Sequence, residues 1–550
     1  MTSAVAPLKY PNFRLLWSAS IFSATGTFIQ SVAASWLMLE LTGSSTWVGL
    51  MVGSVTLPLL FLALPAGALA DMFSRTRLML VAQGIMGGSA ATMTILTANG
   101  SITPGILLTL GLILGCGVAL NIPTWQALLP DLVPRGLVAS AVALQSAAFN
   151  VARAVGPAIG GALVAAFGAA AGFGVNSLSY LAVIGVLLFV GKKLETPERE
   201  STSLGAVVTQ GIRYARFNAT FRRLLGLVAL FAIVSSVVQS TLPAHTILLG
   251  GESLELGILL GAMGAGALVG ALIRQRVIDR LDRRTVPLTI TLFGLAGIGL
   301  GFATTLSLAA VTLFIVGIAW LLTLANLNAT AQLMSPNWIR GRAMSMYSLS
   351  FAGVLPVGAI LSGMVADAIG TSGALIAFSS GAVLLGIISP RFAIPSVDEV
   401  EMPEFTPDRP RLSHHEPSIE GGPVIILNTW VIDDEDFADF TAVMNEVRRV
   451  RLSTGAYRWR LFRNTADPHK ITELFAVDTW EEHVAQHGRI DDVSLELIKT
   501  ARGFDRDGGP RTRHLVAVDT EDPPNFDELI AAHNEMHKTD GSISEPDQGV

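Results

Sequence analysis

Residues 126–135 read Q-A-L-L-P-D-L-V-P-R, and residues 332–342 read Q-L-M-S-P-N-W-I-R-G-R. Each stretch ends a long apolar segment and is followed by another that is rich in glycine. The second segment closes alike in both copies: Phe167-Gly168 after Gly156 and Gly161, and Ile369-Gly370 after Gly358 and Gly363. A repeat built of membrane-length segments constrains the fold more than any single motif. It calls for two related halves with a path between them.

Of the 550 residues, 51% are hydrophobic and 15% charged, against about 25% charged in an ordinary soluble chain. The deficit is local, because everything after about residue 392 has soluble composition. The net charge of −6 therefore averages two unlike regions. The single cysteine, Cys116, lies in an apolar run, so there is no disulfide framework. The first apolar segment is too long for a signal h-region and is expected to stay as an anchor.

A spanning helix needs about 20 mostly apolar residues. Twelve segments qualify, at 13–39, 46–69, 77–97, 104–127, 138–166, 173–191, 222–246, 255–273, 287–305, 309–333, 343–367 and 373–391. The loops near 42, 100, 170, 250, 306 and 371 hold no Lys or Arg. The alternate loops hold Arg75 and Arg77, Arg135, Lys192, Lys193 and Arg199, then Arg274 to Arg284, then Arg340 and Arg342. All basic loops thus fall on one face, which predicts a multi-pass inner-membrane protein with both termini in the cytoplasm.

The expected organisation is two six-helix halves, 1–191 and 222–392, joined by a cytoplasmic linker at 192–221. In that linker Leu204, Val207, Val208, Ile212, Tyr214 and Phe217 recur at helical spacing, as in an interfacial amphipathic helix. Residues 393–420 are Pro- and acid-rich and read as a second linker. Residues 421–520 follow the order βαββαβ, with strands at 424–432, 457–463, 471–477 and 511–518 and helices at 434–453, 480–487 and 493–501. This suggests a small α+β, ferredoxin-like domain. Residues 521–550 are expected to be mostly disordered.

At Gly67 the chain reads G-A-L-A-D-M-F-S-R-T-R. Gly67, Asp71 and Arg75 match the core of the loop signature of the major facilitator superfamily, which this segment resembles. Met72 and Ser74 depart from that signature. The resemblance gives Asp71 and Arg75 a gating role: Asp71 accepting bonds from a helix N-terminus, Arg75 bridging the half-interface. Gly156, Pro157, Gly160 and Gly161 in V-G-P-A-I-G-G look like the glycine-proline motif of exporters and antiporters in this superfamily. Small residues allow close helix approach and the proline permits a bend. Together with P-N-F-R-L-L-W at the start, L-T-G-S-S-T-W-V-G-L after the first segment and N-V-A-R-A-V-G-P, the chain over residues 8–392 resembles the enterobactin-exporter-like branch. That implies proton-driven export of siderophores, macrolides or other amphipathic small molecules by alternating access.

Arg153 lies about sixteen residues into the fifth segment, near mid-membrane. A charge there faces a cavity or a partner. It is expected to line the path and meet an anionic or hydrogen-bond-accepting substrate group; pairing with backbone carbonyls is the alternative. Glu40, at the outer end of the first segment, is the first candidate for proton coupling. Asp367, at the outer end of the eleventh, is a weaker one that could simply end its helix. Gln30, Asn150, Gln126 and Gln332 are further path candidates.

Gly261 to Gly270 has no strand before it and reads as helix packing rather than a dinucleotide loop. No Walker-type sequence occurs, and His483 with His487 or His533 with His537 lacks an evident third metal ligand. No cofactor, metal or nucleic-acid partner is expected. The tail resembles dimeric barrel domains of the antibiotic-biosynthesis-monooxygenase type, which implies a homodimer through that domain. Three readings follow: a transporter with a regulatory or dimerising tail, a transporter fused to an enzyme acting on the transported compound, or a membrane sensor or scaffold.

Overall fold

The structure is a computed structural model describing residues 5–190, 212–335, 339–395, 423–487, 489–490 and 492–517. It divides into two units, Met1–Met402 and Pro403–Val550.

The first half of the helical unit contains α1 (Pro11–Thr42), α2 (Ser45–Met72), α3 (Arg75–Ala98), α4 (Pro104–Leu128), α5 (Val138–Phe167) and α6 (Ala169–Val190). The second half contains α7 (Ala219–Ser235), α8 (Val237–Leu248), α9 (Ser253–Leu281), α10 (Thr285–Gly301) and α11 (Leu306–Leu333). It is completed by α12 (Arg340–Ser348), α13 (Leu355–Ile369) and α14 (Thr371–Ile388). Side chains with oxygen atoms start several helices: Thr103, Asn218 and Thr305 accept from the amides of Ile106, Phe221 and Leu308. At the arginine-free end of the bundle the turns are tight. Gly43, Gly168 and Gly370 have φ of 64°, 76° and 84°, values that a side chain would strain.

Ten stretches among the described residues are long and apolar enough to cross a membrane, and one of them, Ser253–Gly301, contains both α9 and α10. Helix α1 is long enough but more polar, and is not among the ten. Phe167, Phe189, Leu272 and Ile387 are exposed on the bundle surface, which suits lipid rather than water.

Two of the expected continuous segments are broken. The segment expected at 222–246 is interrupted at Ser236, where Ser235 and Ser236 each turn a hydroxyl to the carbonyl three residues back. Such back-bonding competes with the helix ladder. The segment expected at 343–367 is α12 and α13 joined by a π-helical turn, Leu349–Gly353. Pro356 explains the turn, since it has no N–H for the carbonyl four residues earlier and its ring crowds that carbonyl. Helix α9 continues to Leu281, well past the expected end at 273.

The halves meet where α5 packs on α9 and α2 on α13. Of the linker helix expected over 192–221, residues up to 211 lie outside the described ones. Residues 212–217 are helical, and buried Tyr214 donates to the Met334 carbonyl at 3.0 Å.

The second unit contains β1 (Val424–Val431), α15 (Phe437–Thr454), β2 (Arg458–Arg463), β3 (Lys470–Val477), α16 (Trp480–His487), α17 (Asp492–Gly503) and β4 (Arg511–Val516). The sheet order is β2-β3-β1-β4, with every neighbouring pair antiparallel. Strand β1 alternates buried and half-buried residues, the pattern of a sheet covered on one face. Trp430, Phe440, Met444, Val447, Ile471 and Ile498 form the core under the helices. The second linker from 396 onward and the tail beyond 517 lie outside the described residues.

Candidate functional site

A cavity of about 410 Å³ lies between the halves, within the range that holds small ligands. Its walls come from α1, α2, α4, α5 and α6 on one side and from α8, α9, α11, α13 and the π-helical turn on the other. The broken segments therefore supply wall at the repeat interface, as in other transporters. Among the described residues that line it, Arg153 is the one formal charge; there is no Asp, Glu, Lys or His.

Arg153 makes no hydrogen bond or ion pair among the described residues. Its guanidinium lies over three rings instead: Trp320 at 4.8 Å, Phe149 at 5.0 Å and Phe28 at 5.9 Å. The rings come from α11, α5 and α1, so the cage draws on both halves. Each cation–π contact contributes roughly 0.5–2 kcal/mol, which offsets part of the cost of holding a guanidinium at this depth. The backbone-pairing alternative for Arg153 finds no contact here. The charge remains open to an anionic or hydrogen-bond-accepting group in the cavity.

Gln30 also lines the cavity and is buried. Its Oε1 accepts from Asn176 Nδ2 at 2.6 Å, and its Nε2 donates to Met93 Sδ at 3.5 Å. The same Asn176 nitrogen donates to Tyr180 Oη at 3.1 Å, and Tyr180 lies 3.5 Å from the Thr27 hydroxyl. This wall is preorganised by its own hydrogen bonds, so a ligand competes for polar groups already engaged.

The other expected path residues lie elsewhere. Asn150 turns its amide back to the Ser146 carbonyl at 2.9 Å. Gln332 donates to Asn328 at 2.6 Å, and Gln126 is exposed on α4. None of the three is among the cavity-lining residues. Glu40 sits at the arginine-free end, where Trp36 Nε1 donates to it at 2.6 Å. Sequence reasoning missed Phe28 and Phe149 as cage rings, although Phe149 lies one helical turn from Arg153 and Phe28 two residues from Gln30.

The glycine-proline segment divides its work. A Cβ on Gly156 would stand 2.7 Å from Phe28 Cβ, and one on Gly160 would stand 3.0 Å from Ile29 Cα, so both pack α5 on α1. Gly161 faces the other half at Gly257, and Pro157 lines the cavity. In the loop signature, Arg75 pairs with Asp131 at 2.6 Å. Both residues belong to the first half. The surroundings of Gly67 and the side chain of Asp71 lie outside what the structure describes.

In the tail, His514 on β4 joins the histidine pair of α16: its ring lies 4.8 Å from His483, which lies 4.9 Å from His487. A third histidine is therefore adjacent, but no metal-holding group of three occurs among the described residues. Burial first, then the charges of His487, His514 and Arg451, hold His483 down at about 3.

Comparison with known proteins agrees with this architecture. The chain is 27% identical over 418 residues to the multidrug efflux pump Tap of Mycobacterium tuberculosis, covering 73% of this chain and 97% of that one. It is 24% identical to the staphyloferrin A transporter of Staphylococcus aureus over 65% of this chain and 90% of that one. It is 25% identical to the enterobactin exporter EntS of Shigella boydii over 69% and 91%. In fold it matches a bacterial homologue of the lysosomal transporter Spinster in an inward-facing, unoccupied conformation, with a TM-score of 0.55 and 16% identity over 70% of this chain and 96% of that one. It also matches the POT family transporter PepTSo, with a TM-score of 0.58 and 14% identity over 70% and 98%. The transmembrane secretion effector family matches residues 2–522, and the chain belongs to that family of major facilitator transporters, which are membrane transporters and not enzymes.

Proposed function

We propose that this protein is a secondary active exporter that moves amphipathic small molecules bearing an anionic or strongly accepting group. It crosses the inner membrane twelve times, with the arginine-bearing loops and both termini in the cytoplasm. It works by alternating access: the cavity opens to one face while the seams α5–α9 and α2–α13 close the other. The observation that carries this reading is Arg153, a lone cation caged by Trp320, Phe149 and Phe28 in a cavity without carboxylates. The rings receive an apolar or aromatic body, and the guanidinium receives the acceptor. Relatives named for drug and siderophore transport support export of such compounds.

Proton drive is part of the proposal. No carboxylate lines the cavity among the described residues, so the coupling group sits outside it, and Glu40 is the first choice. Gln126, Gln332, Asn150 and the loop signature at Gly67, Asp71 and Arg75 serve the entry side and its gating. The tail supports regulation through pairing with a second copy. Its uncovered sheet face carries Leu427, Leu474, Phe462 and Leu515, all partly or fully exposed.

The test is efflux of an anionic fluorescent amphipath from cells expressing the wild type, Arg153→Ala and Glu40→Gln, with and without a protonophore. Protonophore-sensitive efflux that Arg153→Ala abolishes and Glu40→Gln uncouples is the expected result. Efflux of anionic and neutral dyes that is indifferent to Arg153→Ala would reject the cavity assignment.

A further inference from the structure

The two seams between the halves are built alike in their glycines and differently at their ends. On one seam a Cβ on Gly161 would stand 2.5 Å from the Ser253 carbonyl oxygen; on the other, a Cβ on Gly363 would stand 2.5 Å from that of Ser45. Both places lie at the arginine-free end, at the starts of α9 and α2. Every helix start exposes amides that need acceptors.

Helix α9 meets that need within itself. The Glu252 side chain accepts from the backbone of Glu255, and Glu255 Oε2 accepts from the Glu252 amide at 2.8 Å, a complete capping box. Helix α2 does not. Its own Ser44 hydroxyl reaches only the Trp47 amide, at 3.4 Å. The main cap comes from the other half, where Asp367 near the end of α13 accepts from the Ser45 amide at 2.8 Å and the Thr46 amide at 3.1 Å. Asp367 also accepts from the Ser44 hydroxyl at 2.5 Å and the Thr46 hydroxyl at 2.6 Å. One carboxylate thus holds four donors from a segment more than 300 residues away in sequence. Charge-assisted bonds at a helix N-terminus are among the stronger polar contacts a surface can offer.

We infer that Asp367 is the latch of the α2–α13 seam, the positioning residue that holds the arginine-free face closed. The inference rests on the alternating-access reading above. Opening that face separates α13 from α2, and all four bonds must break together. The start of α2 then loses its cap, whereas α9 keeps its own. Closure at this end is therefore set by one side chain on one seam and by glycine packing on the other.

The test uses the full chain with Cys116→Ser, so that the cavity residue Ser31→Cys is the only thiol. An impermeant maleimide is applied to intact cells and, separately, to inside-out vesicles. With Asp367→Ala, labelling from outside should rise at least about tenfold, the factor expected from losing one net charge-assisted bond, and labelling from inside should fall. Ser44→Ala with Thr46→Val should produce part of that rise alone and add nothing in the Asp367→Ala background, because both remove the same contact. Gly161→Phe, a wedge in the other seam, is the reference. If the wedge raises outside labelling and Asp367→Ala does not, the latch is wrong while alternating access stands. If neither raises it, although inside labelling shows a folded protein, alternating access itself fails and takes the latch with it.

Discussion

Gly161 of α5 lies so close to Gly257 of α9 that a Cβ on Gly161 would stand 2.7 Å from the Gly257 Cα. The two backbones touch across the half-interface, and a methyl group must push them apart. Overpacking of this kind costs about 1–3 kcal/mol. Gly161→Ala is expected to lower the apparent unfolding temperature of the purified protein by several degrees. Gly84→Ala, where a Cβ meets open space inside α3, should leave it unchanged or raise it slightly, as glycine in a helix interior costs about 1 kcal/mol relative to alanine. Thermal unfolding in detergent, followed by fluorescence, separates the two.

If the cavity takes an anionic substrate as proposed, Trp320 should contribute to affinity from the opposite half. Trp320→Ala removes the closest of three rings, at 4.8 Å, and leaves the guanidinium less fixed. A loss of about 0.5–2 kcal/mol translates into a rise of about 2- to 30-fold in KM for an anionic substrate. Trp320→Phe should recover most of it. Transport kinetics in proteoliposomes with one anionic and one neutral substrate checks this; an equal rise for both would mean that the ring packs on the substrate body alone.

His483 gives the tail a pH dependence with a definite sign. The ring is buried and is held at about 3, below the ~6.5 of a free imidazole. As pH falls below about 6.5 the unfolded chain takes up the proton and the folded one does not. Stability from this group is therefore complete above that value and declines as pH drops toward about 3. By pH 4 the loss should reach about 3 kcal/mol. Hydrogen exchange of the α16 peptide, corrected for the intrinsic rate, should show lost protection at pH 4.5 that His483→Phe prevents.

The helical bundle was legible because lipid makes a simple demand. Apolar runs of spanning length and arginines on alternate loops are local properties of a chain. Arg153 was legible for the same reason, as a charge in an apolar run. That Trp320 stands over it was not: an aromatic-tolerant cavity with Trp36, Trp125, Trp320 and several Phe was expected, but Trp320 lies far along the sequence, and nothing near it marks the side it faces. The four donors to Asp367 were hidden in the same way, since a carboxylate at the end of a helix looks like a local feature. The breaks at Ser236 and at Leu349–Gly353 depend on serine back-bonding and on Pro356, and an apolar count does not see backbone bonds. In the tail, strand periods placed β1, β2, β3 and β4 to within a residue or two. The return of His514 beside His483 needed the register of β1 with β4.

The register of β1 with β3, which sets Asn428 opposite Glu473, creates a demanding polar site in the tail. Glu473 on β3 is fully buried under the helices. It accepts from Asn428 at 2.7 Å, from Trp459 Nε1 at 2.9 Å and from Arg451 Nε at 3.4 Å. Arg451 in turn lies 4.5 Å over the Phe475 ring. Glu473→Gln keeps the shape and removes the charge, leaving the nearly buried Arg451 without its counter-ion and an amide nitrogen among donors. Breaking one side of such a pair costs about 3–5 kcal/mol, whereas an apolar pair of similar volume is often tolerated. Glu473→Gln should therefore collapse exchange protection across β1 and β3, and Glu473→Leu combined with Arg451→Met should restore much of it. If Glu473→Gln leaves protection intact, the buried pair contributes little to the sheet and Trp430, Phe440 and Ile471 alone hold it.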